Sequence, residues 1–170
     1  AFRTIAQIGI SYPKSALSQN LPGLAKSAPT AGDRFPWMHL KLNTDGMAQD
    51  LFEALDDTRF NLIVVGQPPP ASNLLSLGDL CLVHAIPADP FNDAELARVH
   101  IPQPSFYLLR PDGHIGLCGT GLDVETIKLI GFLCGSLITG AGVSVSGIIG
   151  FVGLLVPHLM RLIWRLDFRF

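Results

Sequence analysis

The sequence predicts an α/β sandwich over residues 34–128, followed by an apolar helical segment over residues 129–170. Three observations predict it. Phe60–Val65 (FNLIVV) is a continuous apolar run of strand length, the pattern of a strand covered on both faces, and Leu80–Ile86 (LCLVHAI) reads as another buried strand. Ser105–Leu109, Pro111-Asp112-Gly113 and His114–Leu117 read as strand, tight turn and returning strand. Leu129–Val156 then runs for 28 residues without a charge, and a helix of about 20 apolar residues already crosses a bilayer.

In chain order, Ala1–Ile10 has mixed periodicity and is expected to be the end of a helix. Ser11–Asp33 is rich in Ser, Pro, Gly and Ala; residues 1–33 are read as an extended connector wrapping a surface, with a flexible linker as the alternative. Trp37–Leu42 (WMHLKL) alternates as a strand does. Thr44 or Asp45 can cap a helix over Gly46–Leu55, with Met47, Leu51, Ala54 and Leu55 on its buried face. Gly66 and Pro68–Pro70 end regular structure after the Phe60–Val65 strand. Asp93–Val99 is expected to be a short helix. Asp123 can cap another that begins at Val124 and continues into the apolar stretch.

Charge is divided unevenly. Residues 1–128 carry 9 Lys/Arg and 13 Asp/Glu, a net −4, and residues 129–170 carry three Arg and one Asp, a net +2. Neither balance suits nucleic-acid binding, and no basic stripe with interleaved aromatics exists. Cys81, Cys118 and Cys134 are odd in number and far apart, with no CxxC, so neither a zinc site nor a disulfide framework is indicated. Such cysteine usage suits a reducing compartment. His39, His84, His100 and His114 show no metal-ligand spacing. No GxGxxG follows a strand to bind a dinucleotide, and Gly116–Gly121 (GLCGTG) follows a hairpin instead. The chain begins at Ala1 without a signal peptide and ends at Phe170 just past a basic cluster, which leads us to expect a piece of a longer protein.

The segment Ile101–Gly116 (IPQPSFYLLRPDGHIG) resembles the closing half of a thioredoxin-like fold. The resemblance implies structural roles for Pro104, Asp112 and Gly113. In that fold the proline at the position of Pro104 is usually cis, although an ordinary trans proline at a strand start fits the sequence equally well. The redox site of thioredoxins would follow Phe60–Val65, where this chain reads Gly66-Gln67-Pro68-Pro69-Pro70. Without a thiolate there, thiol–disulfide exchange is not available. A closer match takes in ISYPKSAL, AGDRFPWMHL and LLRPDGHIG. Together these look like the C-terminal domain of FAD-dependent aromatic hydroxylases of the phenol hydroxylase type, over residues 1–128. In that family the domain is a thioredoxin-like appendage that lost its redox-site cysteines, packs on the flavin-binding body and often helps form the dimer. The resemblance implies a non-catalytic accessory domain whose parent enzyme holds FAD, with no cofactor on this chain, and a cytoplasmic location for this part. This copy is short between Gly66 and Gly78, where the family has a helix.

From Gly131 the chain reads GFLCGSLITGAGVSVSGIIGFVGLLVPHLMRLIWRLDFR, which closely resembles permease subunits of ABC importers for iron-siderophores, haem and vitamin B12. The resemblance implies one inner-membrane helix followed by a cytoplasmic segment that couples to the ATPase. It assigns Gly147, Gly150, Phe151, Gly153, Pro157, His158 and Arg161 to the coupling motif. The family's DHR reads Asp167-Phe168-Arg169 here. The residues themselves agree with a membrane helix. Seven glycines between 131 and 153 are too many for a soluble core helix at about 1 kcal/mol each, whereas small residues let membrane helices approach closely. Arg161, Arg165 and Arg169 mark the cytoplasmic side.

The two parts make conflicting demands. If the arginines are cytoplasmic, a single crossing puts Lys128 and everything before it outside, whereas a hydroxylase appendage belongs in the cytosol. A complete permease also needs further helices for this one to pack against. The expectation is therefore a composite chain joined near Lys128 by gene fusion, frameshift or sequence assembly. Residues 1–128 would find a flavin-binding hydroxylase body or a second copy, and residues 129–170 an ABC ATPase and other permease helices.

Overall fold

The computed structural model describes residues 10–15, 17–43, 46–70, 80–123, 125–137, 139–140 and 142–144. The chain divides into two compact units, Ala1–Phe132 and Leu133–Phe170. The first unit holds a five-stranded sheet. Its strands are β1 (Gln19–Asn20), β4 (Phe60–Val65), β5 (Cys81–Ile86), β6 (Ser105–Leu109) and β7 (Ile115–Gly119). A two-stranded sheet pairs β2 (His39–Leu40) with β3 (Gln49–Asp50). Among the described residues the helices are α1 (Leu51–Ala54), α2 (Pro90–Arg98) and α3 (Glu125–Ser144). Residues 1–9, on which the expected N-terminal helix end falls, lie outside the described residues.

Strand order in the large sheet is β1-β7-β6-β4-β5. The β4–β5 pair is parallel, and β6 runs antiparallel to both β4 and β7. Alternation along the strands explains the unbroken apolar runs. Ile63, Val65, Tyr107, Leu109, Ile115 and Cys118 join one core with Ala31, Phe35, Met38, Leu40, Leu51, Leu96 and Ile101. The residues between them, Leu62, Val64, Phe106, Leu108 and Leu117, point to the opposite face and are equally buried. Each such side chain contributes roughly 1.5–3 kcal/mol by leaving water. On α3, Thr126, Ile127 and Ile130 are buried while Glu125 and Lys128 are exposed, so its first two turns present one buried face within the first unit.

Four elements differ from the sequence reading. The helix expected over Gly46–Leu55 shrinks to Leu51–Ala54, because Gln49–Asp50 is drawn into pairing with His39–Leu40. Asp50 caps it instead, its Oδ1 accepting from the Phe52 N–H at 2.9 Å. Met47 is 91 % exposed, so of the proposed buried face only Leu51 is fully buried. Thr44 and Asp45 lie outside the described residues. The strand expected over Trp37–Leu42 narrows to two residues. Leu80–Ile86, expected to be buried on both faces, forms an edge strand whose middle residues are partly exposed.

Helix α2 starts earlier than expected, because Asp89 caps it and Pro90 opens it. It ends on His100, which holds the left-handed conformation at φ 59° while the Ile101 N–H returns to the Leu96 carbonyl at 2.9 Å. Helix α3 begins where Asp123 places it. The Asp123 Oδ1 accepts from the Thr126 N–H at 2.7 Å. Its 20 residues are long and apolar enough to cross a membrane, by length and composition. The coupling-motif positions Gly147, Gly150, Phe151, Gly153, Pro157, His158 and Arg161 lie outside the described residues.

Candidate functional site

Two constellations in the first unit gather the residues that the sequence singles out. The first lies where β4 ends. The Gln103–Pro104 peptide bond is cis, and it places Pro104 beside Gly66. Gly66 has φ +63°, and a Cβ there would lie 3.1 Å from the Gln103 Cβ and 3.5 Å from the Pro104 Cα. Glycine is therefore required both for its backbone and for the close approach. The next residue, Gln67, fills the turn with its own amide. Its Nε2 donates to the Ser105 carbonyl at 3.0 Å, and its Oε1 accepts from the Leu122 N–H at 3.3 Å. One side chain thus ties the end of β4 to the start of β6 and to the approach to α3. Gln103 is held in turn by Asp93, whose Oδ1 accepts from its Nε2 at 2.8 Å.

What this turn can do chemically follows from its atoms. An amide is neither a nucleophile nor a proton donor of useful strength at neutral pH, and no thiol stands at positions 66–70. Cys81, Cys118 and Cys134 are all buried. Burial pushes the Cys118 thiol up to about 11, which keeps it protonated and unreactive. Tyr107 is likewise pushed up, first by burial and then by the neighbouring Cys118. Among the described residues no group of His, Cys, Asp and Glu is placed to hold a metal ion.

The second constellation joins the approach segment to the hairpin. Gly32-Asp33-Arg34 and Arg110–His114, 76 or more positions apart in the sequence, meet through backbone hydrogen bonds. The Gly32 N–H donates to the Ile115 carbonyl at 2.7 Å, the Ile115 N–H to Asp33 at 2.9 Å, and the Phe35 N–H to Gly113 at 3.0 Å. Gly32 has φ +95°, and a Cβ there would lie 2.5 Å from the Tyr12 carbonyl carbon. The Tyr12 N–H donates to the Gly32 carbonyl at 2.8 Å.

The Asp33 carboxylate accepts from the Ser11 hydroxyl at 2.7 Å, the Thr30 N–H at 3.0 Å and the Thr30 hydroxyl at 2.8 Å. Burial pushes its pKa up, but these hydrogen bonds outweigh burial and leave it below the usual carboxylate value. Asp112 behaves alike: burial raises it, and Arg110 together with the His114 N–H lowers it further than that. Asp112 pairs with the Arg110 guanidinium, and Gly113, at φ +77°, completes the turn. His114 packs edge-on to Tyr12 with ring centroids 5.2 Å apart. Its Nδ1 lies 3.4 Å from the Asp112 Oδ1.

The sequence had pointed to Pro104, Asp112 and Gly113; Gln67 carried no signal beyond its place in the loop. The glycine-rich stretch Gly116–Gly121 does not form a phosphate cradle. Residues 116–119 belong to β7, and their backbone groups are engaged with β6 and β1. A groove of about 530 Å³ does open at the start of α3, lined by Leu21, Pro22, Thr120, Asp123, Thr126 and Leu129. The Asp123 carboxylate already caps the helix there and repels a phosphate, so these residues do not fit the pyrophosphate of FAD.

The first unit is thus a mixed α/β domain whose turn beside a cis proline carries no redox thiol. Its fold is that of a domain in FAD-dependent hydroxylases. The flavin-dependent monooxygenase PieE, solved with FAD and substrate, superposes on 78 % of this chain with TM-score 0.57 and 18 % identity, over 26 % of its own length. Aklavinone-11 hydroxylase, solved with FAD and aklavinone, superposes on 75 % with TM-score 0.53 and 15 % identity, again over 26 % of its length. At these identities the likeness is one of fold. Residues 129–170 are too few to supply that coverage, so most of the superposed residues belong to the first unit.

Residues 113–170 match the FecCD transport family. The ABC transporter permease YvrB of Bacillus subtilis is 51 % identical over 49 residues, which are 29 % of this chain and 14 % of the permease. The iron(3+)-hydroxamate import permease FhuB of the same organism is 41 % identical over 51 residues, 30 % of this chain and 13 % of its own length. The chain therefore spans about one seventh of the permeases it matches. The family match begins at Gly113, inside the hairpin turn, and so includes all of β7 and the buried first turns of α3.

Proposed function

We propose that residues 1–128 are a non-catalytic, redox-inactive thioredoxin-like accessory and dimerisation domain of a flavin-dependent aromatic hydroxylase, joined to a partial permease segment over residues 129–170. The observation that carries the reading is the turn at Gly66–Gln67 against cis Pro104. A parallel strand pair and an antiparallel hairpin entered through a cis proline support a thioredoxin-like frame. The amide of Gln67 stands where such a frame would carry its nucleophile. The catalytic work and the FAD belong to the parent enzyme. Asp112 and Gly113 shape the hairpin turn onto which Gly32–Arg34 locks, and Pro104 shapes the loop against Gly66.

A second reading is favoured by the FecCD match: a fragment of an ABC importer permease for iron-siderophore, haem or cobalamin uptake, coupling to an ATPase. In it Gly147, Gly150, Phe151, Gly153, Pro157, His158 and Arg161 form the docking motif for the ATPase, and the segment lies in the inner membrane. The first unit is cytosolic in the first reading. A single experiment separates them: the full chain is used as bait for a flavin-binding hydroxylase body and for an ABC ATPase subunit. Capture of the hydroxylase body supports the accessory role. Capture of the ATPase alone sinks it and leaves the permease reading.

A further inference from the structure

We propose that the outer edge of β5 pairs antiparallel with the same edge of a second copy, joining two five-stranded sheets into one. The inference rests on the homodimer reading above and adds to it the surface that makes the contact. The two ends of the sheet are unlike each other. At one end stands β1, only two residues long and closed by Pro22, a blunt edge that offers little to a further strand. At the other stands β5, six residues long. Among the described residues no strand lies on its outer side.

Exposed edges are normally guarded by charge, proline or a bulge. Leu82–Ala85 has none of these, and Leu80–Ala88 contains no Asp, Glu, Lys or Arg. His84 adds no charge at neutral pH. Burial lowers its pKa. Its Nε2 lies 3.1 Å from the Asn61 Oδ1, an acceptor already fixed by the Asp56 N–H at 3.1 Å, so Nε2 donates. Val83 is 37 % exposed and Leu80 42 %.

A neutral strand is self-complementary in the antiparallel sense. A twofold axis beside Val83 sets Val83 opposite Val83 of the second copy and Leu82 opposite His84, with no like charges facing. A strongly charged partner would gain nothing from such an edge, which favours a second copy of this chain.

The test is light scattering on the full chain in mild detergent, with hydrogen exchange alongside. Wild type is expected at twice the 18.3 kDa chain mass. Val83→Lys, which restores the missing edge charge, should run as one chain with an unchanged far-UV spectrum. Met47→Lys, at an exposed site elsewhere, should stay at two. The amides of residues 82–85 should exchange more slowly as protein concentration rises. A wild-type monomer overturns both this inference and the homodimer reading. A dimer that folded Val83→Lys leaves intact, or exchange at 82–85 that ignores concentration, overturns the edge pairing alone.

Discussion

Replacing Gly32 by alanine probes whether the approach segment is part of the fold or a tether. The added Cβ would sit 2.5 Å from the Tyr12 carbonyl carbon, 2.6 Å from its oxygen and 2.7 Å from the Pro13 nitrogen. All three are backbone atoms, which cannot swing aside as a side-chain tip can. The left-handed backbone at φ +95° adds roughly 1–2 kcal/mol for any residue with a Cβ. Overpacking adds about 1–3 kcal/mol. The sum, about 2–5 kcal/mol, is a large share of the 5–15 kcal/mol that holds a typical domain. With a urea dependence near 2 kcal/mol per molar, the midpoint should fall by about 1–2.5 M. Relief by local detachment would instead free Ser11–Lys14 and speed tryptic cleavage at Lys14. A midpoint within about 0.25 M of wild type (about 0.5 kcal/mol), with Lys14 cleaved at the wild-type rate, would refute the clamp.

Other consequences are open to measurement. Asp33 and Asp112 both have folded-state pKa values below their ordinary ones. Their contribution is therefore fully present above the unfolded carboxylate value, about 3.9, and is lost as pH falls through the lower folded values. A melting profile between pH 5 and 2 should show this loss, and Asp33→Asn should flatten it. His100→Gly should stabilise the domain by about 0.5–1 kcal/mol, since glycine suits the left-handed helix end that histidine strains to adopt; chemical denaturation reads it. Cys118, buried and held protonated, should resist alkylation at pH 8 in the folded chain and react once the chain is unfolded, as mass spectrometry would report.

Much of the sheet was legible because its strands announce themselves. Phe60–Val65 is apolar but for Asn61 and buried at every position, and Pro111-Asp112-Gly113 fixes a hairpin by turn chemistry alone. Periodicity misled at Gly46–Leu55. Met47, Leu51, Ala54 and Leu55 fall on a helical face, but Gln49 and Asp50 pair with β2 and leave room for one turn. A two-residue strand such as β1 carries no pattern to read; it exists because the Asn20 side chain accepts from the Ala31 N–H at 2.8 Å and β7 offers its edge. At the candidate site, Pro104, Asp112 and Gly113 were visible as special residue types. Gln67 was not, because a glutamine gives no local sign of the two distant backbone groups it will bridge. The junction is harder still. The sequence divides near Lys128, where charge ends, but Thr126, Ile127 and Ile130 bury one face of α3, and the compact units divide after Phe132.

The proposed reading joins an α/β domain to a membrane segment in one chain. Its most direct measurement is the behaviour of the full chain with and without detergent. With such a segment the chain should sediment as aggregate in plain buffer and become monodisperse in mild detergent. A single sharp species in detergent-free buffer, with no change on adding detergent, would contradict it.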